Sequence, residues 1–559
     1  MPDRTEPHKG PLRPDRSTGP DRSTGPDRST GPDSSLGPDH SESIRRRFAS
    51  AFEQLDLAAG LQPRGVVQRV GDGVAHVAGL EDVGYEELLR FDSGALGLAY
   101  DLLEDGTGVV LLSDSHRVHE GDGVRGMRRP PELPVGPALL GRIVDPLGNP
   151  LDDGPPLPRQ PALPLFRPAP EIVDRKSVDE TLWTGIMAID AAIPIGRGQR
   201  ELIIGDRNVG KTALAIDIIA SQQRGDVACV YVVIGQAMSR VLTLRRTLEQ
   251  AGCLDNTAIV AADASTSPGL QHLAPYAGAS LAESFREAGQ HALVVYDDLT
   301  KHADAYRELA LLLGRPPGRE AFPGDIFYIH AELLERASAR RAERGDGSVT
   351  ALPLIETTDG DISSYIPTNL ISITDGQIYL DSGRFDRNQR PAIDIGRSVS
   401  RIGGVAQSPR MRKAAKNLKI QLSRFESLES LSRVGLEMDV GMQATMRNGQ
   451  LLRELLRQDR LSPRDHFEQI AALAAVEQGW LRDIPLRQAR GALDQLCDAV
   501  RMEHPELVAL LSRGELPDDE DAESWHATLQ SLATRLRRRA TTAETTSRPS
   551  ATDGGESKA

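Results

Sequence analysis

The rhythm of apolar and polar positions divides the chain into stretches of distinct character. Over 65–132, short Val-rich runs at 65–70, 73–78 and 108–112 alternate with Gly-Asp-Gly turns at 71–73 and 121–123. That is the pattern of a small antiparallel barrel. From 134, turn-forming residues surround one apolar segment and lead into a Pro-rich stretch at 155–170, which reads as a connection into the next domain. Between 171 and 390 the pattern becomes α/β. The run 202–204 predicts a buried strand that breaks at Gly205 and gives way to an Ala- and Ile-rich helix. The run 227–234 predicts a strand followed by Gly235-Gln236 and a helix over 238–251, and 292–296 predicts a strand ending in Asp297-Asp298. Beyond 410 the period turns helical: Phe467, Ile470, Leu473 and Ala474 share one face, as do Trp525, Leu529, Leu532 and Leu536.

The two ends differ from this body. Pro-Asp-Arg-Ser-Thr-Gly repeats at 14–19, 20–25 and 26–31, with a variant at 32–37. Such units have almost nothing to bury, so a disordered arm is expected over 1–43. It has no apolar core, unlike a secretory signal, and its aspartates argue against a transit peptide. A helix and linker follow over 44–64, with Ile44, Phe48, Phe52 and Leu55 on one stripe beside Arg45–Arg47. Packing and partner docking suit that stripe equally. The expected domains are then a barrel at 65–132, a nucleotide domain at 133–410, a helical domain at 411–539 and a Ser/Thr/Glu-rich disordered tail at 540–559.

Composition narrows the function classes. The 559 residues carry 66 basic and 80 acidic side chains, a net charge of −14, which disfavours indiscriminate nucleic-acid binding. Arg greatly outnumbers Lys, the codon bias of a GC-rich bacterium. Cys229, Cys253 and Cys497 form no CxxC pair; each reads as a small apolar filler in a reduced compartment. No apolar run approaches the roughly 18 residues of a membrane span, so any membrane role is expected to be peripheral.

The candidate chemistry centres on 205–212. Gly205-x-x-x-x-Gly210-Lys211-Thr212 has the spacing of a phosphate-cradling loop, set between a strand and a helix. Its glycines let backbone N–H groups turn toward phosphates, and the helix N-terminus adds partial positive charge. Lys211 offers a cation to the β- and γ-phosphates, and the Thr212 hydroxyl offers a ligand to Mg²⁺. Asp297, at the end of its strand, suits the second Mg²⁺-associated carboxylate. The Asp297-Asp298 pair alone also suits the cap of a following helix.

Five long segments carry a family resemblance: 194–207, 296–301 (Tyr-Asp-Asp-Leu-Thr-Lys), 314–325 (Gly-Arg-Pro-Pro-Gly-Arg-Glu-Ala-Phe-Pro-Gly-Asp), 364–377 and 398–403 (Ser-Val-Ser-Arg-Ile-Gly). From roughly 65 to 535 the chain resembles the α subunits of rotary F-type ATP synthases, in a divergent or alternate bacterial form. The resemblance implies a multidomain fold: an N-terminal β-barrel, a central α/β RecA-like P-loop domain and a C-terminal helical domain. It implies alternation with β subunits around a γ shaft, contact with peripheral-stalk subunits, and a peripheral position on the cytoplasmic face of the bacterial inner membrane through the Fo sector.

The resemblance also implies roles. Catalytic β chains carry Glu where this chain has Gln236. An amide orients water but does not accept its proton as a carboxylate does, although some GTPases use Gln productively. The family's α chains carry Gln and hold Mg-ATP without turning it over. ATP or ADP with Mg²⁺ is thus expected on Gly205, Asp206, Arg207, Asn208, Val209, Gly210, Lys211, Thr212, Gln236 and Asp297, with Phe385, Arg390 and Gln458 completing the pocket. Arg401 resembles the arginine finger offered to the neighbouring β site, where a planar, permanent cation meets developing charge. By its residue type alone it reads as a surface salt-bridge residue. Ser398 matches a position that the family needs for activity, and Ser363 an interface position.

The family usually has two cations directly after the Gln, where this chain has Ala237 and Met238, and Gln-Thr where it has Asn208-Val209. Arg397 adds a charge ahead of the Ser-Val-Ser-Arg motif. The rival readings are a self-sufficient hexameric RecA-type ATPase, such as a secretion ATPase or RNA translocase, and a nucleotide-sensing module without motor partners.

Overall fold

A computed structural model describes residues 64–113, 115–224, 226–433, 438–512, 530–531 and 534. The expectations for the arm, the 44–64 helix, the Trp525–Leu536 stripe and the tail lie outside the described residues. The described residues form one compact unit.

The Val-rich runs close into a six-stranded barrel: β1 Arg64–Gly71, β2 Val74–Ala78, β3 Leu88–Phe91, β4 Leu96–Leu103, β5 Gly106–Leu111 and β6 Gly123–Gly126. The ring order is β1-β2-β5-β4-β3-β6, every pairing is antiparallel, and β6 returns to β1. Side chains alternate across the strands. Ala99, Val109 and Leu111 fill the barrel, while Leu98, Tyr100 and Val110 pack outward against the next domain. β4 and β5 are therefore covered on both faces, which explains why their runs are almost continuously apolar.

The central domain is a parallel sheet of β7 Glu201–Asp206, β8 Val227–Gln236, β9 Thr257–Asp263, β10 His291–Asp297, β11 Ser348–Thr357 and β12 Gly376–Leu380. Their spatial order is β12-β7-β11-β10-β8-β9. α1 Lys211–Ser221, α2 Met238–Gln250, α3 Pro268–Glu287 and α4 Leu299–Leu312 connect them. Both faces of the sheet are covered, and the strands read as unbroken Val, Ile and Ala.

Within the connecting stretch, Glu132–Pro134 pairs with Ala162–Pro164, and Ile143–Val144 adds a short parallel strand beyond β9, so its single apolar segment joins the sheet. At the opposite edge, Val399–Ser400 runs antiparallel to β12.

The last part is helical: α5 Leu418–Arg433, α6 Val440–Leu456, α7 His466–Glu477, α8 Ala489–Glu503 and α9 Pro505–Ser512. α7 holds Phe467, Ile470, Leu473 and Ala474, as its period predicts. It is also buried throughout 469–476, so it is a central helix rather than a one-sided one. Asp465 and Glu468 form a reciprocal capping box at its start. The three cysteines are free and buried.

Candidate functional site

The carboxyl ends of the parallel strands bring the candidate residues together, as expected where the crevice of an open α/β sheet lies. β7 delivers the loop. A Cβ on Gly205 would stand 2.6 Å from the Leu380 carbonyl oxygen of β12, so that position admits only glycine. Asn208 (φ 65°) and Gly210 (φ 104°) turn the loop through left-handed conformations. Val209 is buried beneath the loop, while Arg207 and Asn208 are exposed above it. Asp206 fixes the loop's outer side: its carboxylate accepts from the Thr357 hydroxyl at 2.7 Å and the Gly360 N–H at 2.8 Å.

Lys211 opens α1 and is 7% exposed. Its Nζ donates to the carbonyls of Gly205 at 2.8 Å and Asp206 at 2.7 Å, and lies 4.0 Å from Glu356. Burial lowers the pKa of the ammonium, with Glu356, Asp298 and Asp297 opposing.

At the end of β10, the two carboxylates divide the roles that the sequence leaves open. Asp297 Oδ2 accepts from the Thr212 hydroxyl at 2.9 Å and the Tyr231 hydroxyl at 2.7 Å. Asp298, also on the cavity wall, caps α4, accepting from the Lys301 N–H at 2.8 Å. Burial raises Asp297 above the usual carboxylate range. Asp298 is pushed up to about 7, first by burial and then by Asp297. Gln236, at the end of β8, donates its amide to the Asp297 carbonyl at 3.1 Å.

Two cavities meet at the loop. The polar one, about 380 Å³, is lined by Lys211, Thr212, Gln236, Asp297, Asp298 and Glu356. The other, about 300 Å³, is mostly apolar and holds Val209, Phe385, Arg390 and Gln458. They share Gly210, Ala213 and Arg460. The Arg390 guanidinium stacks 3.6 Å over the Phe385 ring and donates to the Phe385 carbonyl at 2.6 Å. Gln458 is buried. Its Oε1 accepts from the Met187 N–H at 2.7 Å, and its Nε2 donates to the Gly185 carbonyl at 2.8 Å. One end of this crevice suits an aromatic base and the other a polyphosphate. Thr212 and Asp297 offer hard oxygens to Mg²⁺. Among the described residues no group of three metal-ligating side chains occurs.

Ser398, Arg401 and Ser363 lie outside both cavities. Ser398 is 1% exposed; its hydroxyl accepts from the Tyr379 N–H at 2.9 Å and donates to the Asp394 carbonyl at 2.6 Å. Arg401 is exposed just past the edge strand, and its Nη2 reaches the Ile371 carbonyl at 3.3 Å. Ser363 is exposed with its hydroxyl on Asp361 at 2.6 Å. Arg397 stacks 3.8 Å over Tyr379.

Sequence reasoning missed Tyr231, Asp217, Glu356 and Arg460. Tyr231 carried a signal, a phenol inside an otherwise aliphatic strand. Asp217 faces the apolar cavity from α1 and accepts from the Leu461 N–H at 3.0 Å, a contact that only the folded helical domain creates.

The profile of the ATP synthase alpha/beta family, nucleotide-binding domain, matches residues 185–400, and that of the ATP synthase alpha/beta chain, C terminal domain, matches 407–532. A Dehalococcoides mccartyi protein named ATP synthase subunit alpha is 50% identical over 427 residues, 76% of this chain and 85% of that protein. A Syntrophotalea carbinolica protein named ATP synthase subunit alpha 2 is 47% identical over 477 residues, 85% of this chain and 91% of that protein.

Proposed function

The chain belongs to the ATP synthase alpha/beta family, and from that premise we propose that it is a non-catalytic, Mg-ATP-holding α subunit of a rotary F-type ATP synthase. The observation that carries the non-catalytic reading is Gln236. The polar cavity has an amide at the end of β8, where the catalytic chains of the family carry a carboxylate. Of the cavity's three carboxylates, Asp297 is engaged with Thr212 and Tyr231, Asp298 caps a helix and Glu356 lies 4.0 Å from the Lys211 ammonium, which leaves Gln236 alone at the β8 position where the family's catalytic chains carry their base.

Each residue then has a holding task. Phe385 and Arg390 present a stacked face to the base, and Gln458 fixes the wall behind it. The loop N–H groups and Lys211 take the phosphates, with Arg207 at the exposed rim. Thr212 and Asp297 hold Mg²⁺, which neutralises phosphate charge when bound. Arg401 belongs to a different surface. Its exposure beside an edge strand supports a role in trans at a neighbouring β subunit's site.

The partners proposed are β subunits in an alternating ring, a γ shaft and peripheral-stalk subunits, with peripheral attachment to the cytoplasmic face of the membrane through Fo. No helix of the described residues is long and apolar enough to cross a membrane. Co-expression of this chain with the β-type and γ-type chains of its own source tests the reading. The expected product is an ATPase-active mixed ring, with the chain alone binding ATP and not hydrolysing it. Robust hydrolysis by a ring of this chain alone would overturn it in favour of the self-sufficient hexamer.

A further inference from the structure

The two cations that the family places directly after the β8 glutamine are absent here, and their places cannot supply charge. Ala237 is an exposed, extended residue ahead of α2, and Met238 is packed against the hydrophobic core. A cation nevertheless stands on the same wall. Arg240, Thr243, Leu244 and Thr247 share one face of α2 at spacings of three and four, and all of them line the polar cavity.

Arg240 is exposed, and its side chain has no hydrogen-bond or ion-pair partner among the described residues. That is unusual in a cavity holding the carboxylates Asp297, Asp298 and Glu356. Lys211, by contrast, is engaged with two loop carbonyls and stands near Glu356. The third cation, Arg460, lines both cavities and so stands near their junction. Arg240 lines only the polar one, on the wall that α2 adds after Gln236, whereas Phe385 and Gln458 line only the apolar one. An occupant whose base lies in the apolar cavity and whose phosphates pass Lys211 extends into the cavity that Arg240 borders.

We propose that Arg240 is the specificity-determining residue by which this site prefers a nucleoside triphosphate over a diphosphate. Its guanidinium takes the terminal phosphate in place of the cations missing at 237 and 238. A planar fork of N–H donors matches the oxygens of a terminal phosphoryl group, and the permanent charge offsets the negative charge that a triphosphate carries beyond a diphosphate. The proposal rests on the reading of the two cavities as a nucleotide site and adds the preference between nucleotides.

The test is equilibrium titration of the purified full-length chain with ATP and with ADP, each with Mg²⁺, for the unmodified protein, Arg240→Ala and Lys211→Gln. Arg240 is exposed, so Arg240→Ala is expected to keep its thermal melt, which serves as the folding control. The unmodified chain is expected to bind ATP more tightly than ADP. Arg240→Ala is expected to lose roughly tenfold or more in ATP affinity, the scale of one charge-assisted contact, with ADP affinity changed by less than about twofold. Lys211→Gln is expected to lose both. Equal loss of ATP and ADP in Arg240→Ala would reduce the residue to a general electrostatic contribution. No loss of either would make it a solvated surface cation. Both results overturn the proposal while leaving the nucleotide site standing. An unmodified chain that binds neither nucleotide overturns the site itself, and this proposal with it.

Discussion

The Thr212 hydroxyl donates to the Asp297 carboxylate across 2.9 Å, joining the first turn of α1 to the end of β10. Tyr231 holds the same carboxylate oxygen at 2.7 Å. The pair is oriented by the sheet rather than by solvent, so its loss is expected to fall on the metal. Asp297→Asn is expected to weaken Mg-ATP binding, with a smaller effect on ATP in excess chelator. Tyr231→Phe removes only the supporting hydrogen bond, and the expected loss is of the order of tenfold in Mg²⁺ dependence. Calorimetric titration with and without Mg²⁺ separates the two effects. Equal losses under both conditions would place these residues in phosphate binding instead.

Asp298 predicts a pH dependence of stability. Its folded pKa is about 7 against an ordinary value of 3.8, so the folded state holds a proton that the unfolded state releases in that interval. The corresponding stabilisation is fully present below the unfolded value and is lost as pH rises through the folded one. Asp298→Asn keeps a good helix cap without the titration. Thermal melts in the absence of nucleotide are expected to show a flatter Tm between about pH 4 and 7 in the variant than in the unmodified chain. Parallel curves would assign the proton elsewhere.

Gln458 links the helical part to the nucleotide domain through buried hydrogen bonds to Met187 and Gly185. Gln458→Ala leaves the buried Met187 N–H unpaired, at about 1–3 kcal/mol, while the Gly185 carbonyl keeps the Arg464 N–H at 2.9 Å. A lowered Tm and weaker nucleotide binding are expected together. A variant with an unchanged melt would mean that water replaces the amide.

Arg401→Ala is expected to leave ATP binding by the free chain unchanged and to reduce turnover of the reconstituted ring by about 10³-fold or more, the scale of an arginine finger. Arg401→Lys is expected to restore little, because an ammonium lacks the fork. Steady-state ATPase of the ring and titration of the free chain decide this. Loss of ATP by the free variant would move Arg401 into the chain's own pocket.

The parts legible in the sequence were those fixed by local chemistry. The loop glycines, the strand runs and Asp297 each announce their conformation within a few residues, and the structure places them at one crevice. Gln458 is far in sequence from Phe385 and Arg390, and all three are tied to the loop only through resemblance; no period or spacing links them to it. Arg240 and Arg460 were passed over because a charged residue on a helix or loop ordinarily reads as solvated, and only the shape of the cavity distinguishes them. α7 reads as one-sided in sequence although 469–476 are buried, because its small residues, Ala471, Ala472 and Ala475, add little apolar weight to the other faces.

The amide of Gln458 is at once a wall of the base cavity and a latch between two parts of the chain. Its bonds to Met187 and Gly185 end on the backbone, so any displacement of the helical part against the nucleotide domain moves this wall with it, and the width of the cavity is a readout of how closely those two parts are joined.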